Sequence, residues 1–299
     1  MLFSSSQPIA KTPNPTPSDP MLSSIPDVYE PASDDGAGAT PSMLTEMETS
    51  GLTLAEIVLI DSFRHRIAQD YQRFLTTFTD DQGHSVYHTR IRAMCAANRE
   101  SLEVSYLHLM EGNAFLAKLV ANVPTDTLAI FDAATMRIVL RLFENYRQIR
   151  SDVHVRIVDF PAMDALRDLR HQHLNTLVRT SGVVTRRSGV FPQLQAVKYD
   201  CRRCGQVIGP FLQDGGASEE VRVQSCPACQ SAGPFTVNTT QTVYRNYQRV
   251  TLQEAPGSVP AGRLPRHKEV IMLWDLIDAV RPGELVEVTG VYRNNYSHS

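Results

Sequence analysis

The stretch Leu194-Gln195-Ala196-Val197-Lys198-Tyr199-Asp200-Cys201-Arg202-Arg203-Cys204-Gly205 is β-rich until it runs into a Cys-x-x-Cys turn. A second pair, Cys226-Pro227-Ala228-Cys229, follows after 21 intervening residues. Two residues between thiols let a tight turn aim both sulfurs at one point, and two such turns supply the four tetrahedral thiolates of a structural zinc site. With Cys201, Cys204, Cys226 and Cys229 filling every coordination position, none is left for a reactive water, so the metal is read as a staple. Disulfides are the competing use of four cysteines. The start of the chain, Met1-Leu2-Phe3-Ser4-Ser5-Ser6-Gln7-Pro8, lacks the charged start and long apolar run of a secretory signal, and doubled Cys-x-x-Cys in a reducing compartment more often binds metal. The fifth cysteine, Cys95, lies in a helical pattern and reads as an ordinary buried small residue.

Outward from the cysteines the apolar period is two. Val153, Val155 and Ile157 alternate with His154 and Arg156, and a short helix is expected at 162–172. Leu177–Thr185, Leu194–Tyr199, Phe235–Leu252, Val270–Leu273 and Leu285–Tyr292 then make about five strands, the last two separated by the turn Arg281-Pro282-Gly283-Glu284. Five such strands suggest an oligonucleotide-binding (OB) barrel at 153–299, with the cysteine pairs as an inserted zinc ribbon at about 199–236.

Residues 51–152 have the helical period instead. Ile60, Phe63, Ile67, Tyr71, Phe74 and Phe78 draw one apolar stripe, and further helical segments are expected near 86–97, 114–121 and 127–149. Short links between them favour a small helical bundle, so the fold class is α+β. Residues 1–50 are rich in Pro and Ser, poor in large apolar side chains, and read as a disordered tail with Thr-Pro pairs at 12, 16 and 40 open to proline-directed kinases. That tail holds seven acidic residues and one lysine, a net of −6, whereas the chain totals −3; the remaining part is therefore mildly basic at +3. No apolar run reaches the length of a membrane span.

Positive charge gathers at loop-like places in the β region. Arg186 and Arg187 follow a strand, and Arg245, Arg249, Arg263, Arg266 and Lys268 face a single acid, Glu254, between 241 and 268. Pro256–Gly262 reads as the tip of a long hairpin carrying Arg263, Arg266 and Lys268 on its returning arm. Cations so placed contact phosphates without reading sequence, and Tyr244 and Tyr247 offer stacking faces. His84 with His88, and His171 with His173, form incomplete ligand sets and read as surface residues. No G-x-x-x-x-G-K-[ST] loop or G-x-S-x-G motif occurs, so the 299 residues are not read as a complete enzyme.

The runs Asn98-Arg99-Glu100-Ser101-Leu102, Arg179-Thr180-Ser181-Gly182-Val183-Val184-Thr185, Gly209-Pro210-Phe211, Gly233-Pro234-Phe235 and Tyr244-Arg245-Asn246-Tyr247-Gln248-Arg249 are more specific than any spacing. With Leu252–Pro260, Gly262-Arg263-Leu264-Pro265-Arg266 and Val288–Tyr296 they closely resemble the N-terminal region of the minichromosome maintenance (MCM) replicative helicases, in its subunit-two branch, over roughly 55–299. The resemblance implies a helical subdomain and an OB fold with a zinc ribbon, in a collar of six related subunits around DNA. It also implies a nuclear protein, a basic hairpin matched by Arg263, Arg266 and Lys268, and ATP hydrolysis in a C-terminal module that these residues do not include. The tail is shorter than the strongly charged, histone-binding tails of that branch. The chain reaches Ser299 before the family's closing strand, so an open barrel with an exposed edge is expected. The alternative from the residues alone is a free-standing zinc-ribbon/OB single-strand binding or architectural protein.

Overall fold

The computed structural model describes residues 2–6, 53–80, 82–212, 223–260 and 262–294, with 2–6 and 212 as backbone alone. The tail read over 1–50, with its Thr-Pro pairs, otherwise lies outside the described residues. Within it, Leu2–Ser6 forms strand β1.

Thr53 starts the helical region with a reciprocal cap: Glu56 N donates to Thr53 Oγ1 (3.4 Å) and Thr53 N donates to Glu56 Oε2 (2.8 Å). Helix α1 (Leu54–Leu59) is separated from α2 (Asp61–Thr77) by Ile60, whose backbone is extended, so the expected stripe begins one turn later, with Phe63 partly buried and Ile67, Tyr71 and Phe74 buried. Helix α3 (Val86–Ala96) carries the buried Cys95. After it comes β2 (Ser101–Ser105), a strand the period did not reveal, then α4 (Tyr106–Gly112). Asn113 caps α5 (Ala114–Asn122) by accepting from Phe115 N and Leu116 N, and Pro124 opens α6 (Pro124–Leu142), where a missing N–H costs nothing. A short α7 (Tyr146–Ile149) follows. The rings of Tyr71 on α2 and Phe131 on α6 stack at 3.8 Å in the middle of this core.

Strand β3 (His154–Val158) pairs in parallel with β2, Leu102 opposite Val155 and Val104 opposite Ile157. The helix expected at 162–172 is absent: the segment makes turns and a 3₁₀ turn at His171–His173. Its backbone is committed elsewhere, with Asp164 N donating to Arg179 O (2.8 Å), while Leu166 and Leu169 are buried under the sheet.

One strand organises the rest. β4 runs from Leu177 to Cys201, joining what read as two separate strands, with bulges near 184–186, 187–190 and 194–196. Its ribbon end pairs with β5 (Val207–Leu212) and β6 (Phe235–Val237). Most of its length pairs with β7 (Val243–Gln253), which in turn pairs with β8 (His267–Leu273). Its first turn-length pairs with β9 (Leu285–Val291). Strand β1 lies antiparallel to β9 and meets β8 in parallel at Leu2 opposite Ile271. The order β4-β7-β8-β1-β9 thus returns to β4, with β8 meeting β1 at the single position Ile271. Val178, Val184, Val250, Leu252, Val270, Met272 and Val288 fill the barrel. The barrel meets the helical region through an Arg156–Asp275 ion pair and the His154 ring stacked 3.9 Å from that of Trp274. Among the described residues no helix is long and apolar enough to cross a membrane.

Gly182 marks the tightest backbone approach in the barrel. A Cβ there would lie 2.6 Å from Gln253 O and 2.8 Å from Leu252 Cγ. Gly182→Ala is expected to destabilise the fold by about 1–3 kcal/mol through overpacking, read as a lower denaturant midpoint at unchanged slope.

Candidate metal centre and nucleic-acid interface

The two cysteine turns are copies of one knuckle. Cys201 N donates to Gln206 O and Gly205 N to Cys201 O; likewise Cys226 N donates to Ser231 O and Gln230 N to Cys226 O. The residue after each second cysteine is left-handed, φ +73° at Gly205 and +55° at Gln230, which turns the chain back beneath the thiols. A cis Gly-Pro bond and a phenylalanine follow in each copy, at Gly209-Pro210-Phe211 and Gly233-Pro234-Phe235. Sequence reading found the cysteine spacing but not this duplication, although both Gly-Pro-Phe words were visible.

Facing one another, the knuckles bring all four sulfurs within 4.8 Å, with Cys201–Cys229 at 3.7 Å and Cys204–Cys226 at 3.6 Å. These spacings are far beyond a disulfide bond of about 2.05 Å. A tetrahedral ion with metal–sulfur bonds of about 2.3 Å would space its sulfurs about 3.75 Å apart, so the donor set fits. Backbone N–H groups of Cys204 and Arg203 pull the Cys201 thiol down to about 7, and those of Cys229 and Ala228 lower Cys226. At Cys204 the N–H of Gln206 also favours the thiolate, yet desolvation and three neighbouring sulfurs push it up to about 12. Four thiolates at this spacing repel one another, and a divalent cation is the chemical remedy. The cluster is the only one of its kind among the described residues.

The seven basic residues singled out in the sequence do not form one patch. Arg186 is exposed on β4 opposite Thr251, and its side chain has no partner among the described residues. Arg249 shares the outward row of β7 with Thr251 and lies 3.9 Å from Glu269. Arg245 continues that row; its guanidinium donates to Gln193 Oε1 (3.3 Å) and sits 6.0 Å over the Trp274 ring. Arg187 is turned to Asp278, at 3.1 Å, and to Val280 O. On the loop between β7 and β8, Arg263 is exposed beside Leu264 and its side chain is unpaired among the described residues. Arg266 instead donates to Arg167 O (3.1 Å). Lys268 falls on the inward row with Val270 and Met272, where it donates to Tyr292 Oη (3.0 Å).

Glu254 sets the base of that loop, a role the sequence reading missed because a lone acid among arginines looks like surface. It is buried, accepts two hydrogen bonds from Arg167 (2.8 and 2.7 Å) and one from Arg266 N (2.9 Å), and its own N–H donates to Arg266 O. The Arg167 guanidinium holds its carboxyl below the ordinary carboxylate range.

The family model of the MCM N-terminal domain matches residues 68–159, and that of the MCM OB domain matches residues 165–296. The chain belongs to the MCM family. It is 51% identical over 247 residues to the DNA replication licensing factor mcm2 of Schizosaccharomyces pombe, covering 83% of this chain and 30% of that protein. It is 48% identical over 252 residues to the Mcm2 licensing factor of Drosophila melanogaster, covering 84% and 28%. With the minichromosome maintenance protein MCM of the archaeon Saccharolobus solfataricus it shares 30% identity over 224 residues, covering 73% and 32%. The chain therefore spans about a third or less of the length of these relatives. The two family domains leave 160–164 between them, after the β3 strand that pairs with β2 and before the buried Leu166.

A depressed carboxyl pKa in the folded state gives stability that is present above the unfolded value of about 4.3 and is lost as pH falls through the lower, folded value. Glu254→Gln is therefore expected to lower the thermal midpoint by several degrees near pH 7, with the gap to the parent chain closing under acid conditions, followed by calorimetry from pH 7 to pH 3.

Proposed function

We propose that this chain is the N-terminal, DNA-binding and ring-assembly part of a replicative helicase subunit, acting in the nucleus in replication licensing, initiation and unwinding. The observation that carries this reading is the identity of about 50% with curated MCM2 licensing factors over 83–84% of the chain. The domains then divide as a tail over 1–50, a helical subdomain from 51 whose last strand is β3, and an OB fold after it, a boundary later than the 152/153 read from the period. Zinc is the ion of the four-thiolate site: it is tetrahedral, redox-inert and suited to thiolate ligands. It closes the ribbon and does no chemistry, because protein fills its coordination shell. The partners are DNA, bound without regard to sequence, and related subunits in a hetero-hexameric ring.

Within the barrel, Arg186 and Arg263 are the residues best placed to meet phosphates, since their guanidiniums are exposed and uncommitted. Arg249 and Arg245 extend the outward row beside Arg186, with Tyr244 and Tyr247 on the same ribbon. Arg187, Arg266 and Lys268 reach DNA only by giving up the local partners described above.

Two expected outcomes test the reading. Cys204→Ser should lose bound zinc, measured by elemental analysis, and unfold residues 201–231; retained stoichiometric zinc would refute the tetrathiolate. Arg186→Ala and Arg263→Ala should each weaken binding to a single-stranded oligonucleotide and reduce the slope of log affinity against log salt by about 0.7 for each phosphate contact removed. Lys268→Ala should instead lower stability and leave that slope unchanged.

A further inference from the structure

Trp274 is the only tryptophan of the chain, and it stands where the helical region, the barrel and the outward row of β7 meet. Tyr247 on β7 is opposite Leu273, the last residue of β8, so the chain leaves the sheet at Trp274, beside Arg245. There its backbone is left-handed, with φ +52°, a conformation that a large aromatic residue rarely adopts. Such strain persists only where the surroundings hold it. Three side chains do so here. The His154 ring stacks on the indole at 3.9 Å between centroids, and the guanidiniums of Arg156 and Arg245 lie 5.9 and 6.0 Å from the indole ring's centre, within the range of a cation–π attraction. Two of these holders come from β3 and are themselves fixed. His154 Nδ1 lies 3.2 Å from Asp132 Oδ2 on α6, while the other oxygen of that carboxylate accepts from Val155 N (2.7 Å). Arg156 is paired with Asp275, the residue after the tryptophan, and its buried Nε has no hydrogen-bond partner. The third holder, Arg245, belongs to the row proposed above to meet DNA.

We propose that Trp274 is a positioning residue that couples the helical region to the phosphate-binding row: its ring holds Arg245 back, and a phosphate that takes Arg245 loosens the ring. The inference rests on the DNA-binding reading for its ligand and deepens it. One guanidinium cannot serve both partners at once. Over the indole it makes a cation–π contact and donates to Gln193 Oε1 (3.3 Å). Turned to a phosphate it makes the stronger, charge-assisted hydrogen bonds and gives up its place over the ring. The strained residue is then left to His154 and Arg156 alone, so occupancy of the outward row changes how firmly β3 and the barrel are joined. Linkage makes the effect reciprocal: a ring that competes for Arg245 lowers affinity for the polyanion, and loss of the ring raises it. Neither the metal site nor the loop at Glu254 takes part.

The single tryptophan supplies its own probe. An unlabelled oligothymidine added to the zinc-loaded chain should shift the Trp274 emission to longer wavelength and increase its quenching by acrylamide. Arg245→Ala should show that shift without DNA, and DNA should then add nothing to it. Binding of a fluorescein-labelled oligothymidine, followed separately by anisotropy, should become about two- to fivefold tighter in Trp274→Leu, the range expected for release of one cation–π contact. Emission that stays unmoved while anisotropy reports binding would overturn the proposal, as would an equal DNA-induced shift in Arg245→Ala. Weaker binding by a folded Trp274→Leu would overturn it too, because the ring would then support the DNA contact and not compete with it. Absence of any binding at low salt would instead refute the DNA reading. The coupling is then decided without DNA: Arg245→Ala should still shift the emission and reduce hydrogen-exchange protection over 154–158, and a variant matching the parent in both would sink it.

Discussion

The continuity of one strand governs this structure. Leu177–Cys201 pairs with β9 at its start, with β7 through its middle and with β5 and β6 at its end, so barrel and ribbon share a single backbone. A flat strand of that length would not wrap a small barrel and then emerge from it. Three irregularities in its pairing with β7 supply the added twist and bend, and each re-aims the side chains beyond it. Because Cys201 is the last residue of β4, the position of the first knuckle is fixed by the barrel. A mobile loop does not set it. An ion held by the four cysteines would cross-link that strand end to the returning segment at Cys226 and Cys229.

This arrangement separates two electrostatic tasks that the sequence places side by side. The cysteine cluster concentrates negative charge behind buried side chains, Cys201 and Cys226, and calls for a cation. The barrel's outward row, by contrast, offers positive charge to a polyanion through Arg186 and Arg249. At the end of the β4–β7 ribbon away from the cysteines, the Arg167–Glu254–Arg266 contacts spend charge on shape, since a bidentate carboxylate–guanidinium pair fixes orientation as well as distance. The loop bearing Arg263 is consequently short of freedom at its base and exposed at its tip. Counting arginines in the sequence overstates the cation available to DNA, because several are the structure's own fasteners.

What the sequence disclosed follows the range of the interactions involved. The knuckles were legible because metal ligation demands fixed spacing over four residues. The helical stripe from Ile67 to Phe74 was legible because burial repeats every turn. The parallel β2–β3 pair was not, since Ser101–Ser105 is short and its partner lies some fifty residues away. The unity of β4 was hidden by Gly189 and Pro192, which normally punctuate strands but here sit among the bulges, Pro192 opposite Asn246. The helix expected over 162–172 failed because two leucines three apart satisfy a helical period and a turn over a sheet equally well. Least legible was the closing strand, since nothing local in Leu2–Ser6 names β9 as its partner.

The central claim is that DNA meets the barrel's arginine-bearing surface while the metal-bound ribbon acts as scaffold. Photocrosslinking of a single-stranded oligonucleotide to the zinc-loaded chain, with the attachment sites mapped by mass spectrometry, tests it most directly. The account predicts crosslinks on the β4–β7 outward row around Arg186 and Arg249 and on the loop around Arg263. Crosslinks confined to the knuckles at 201–206 and 226–231 would contradict it.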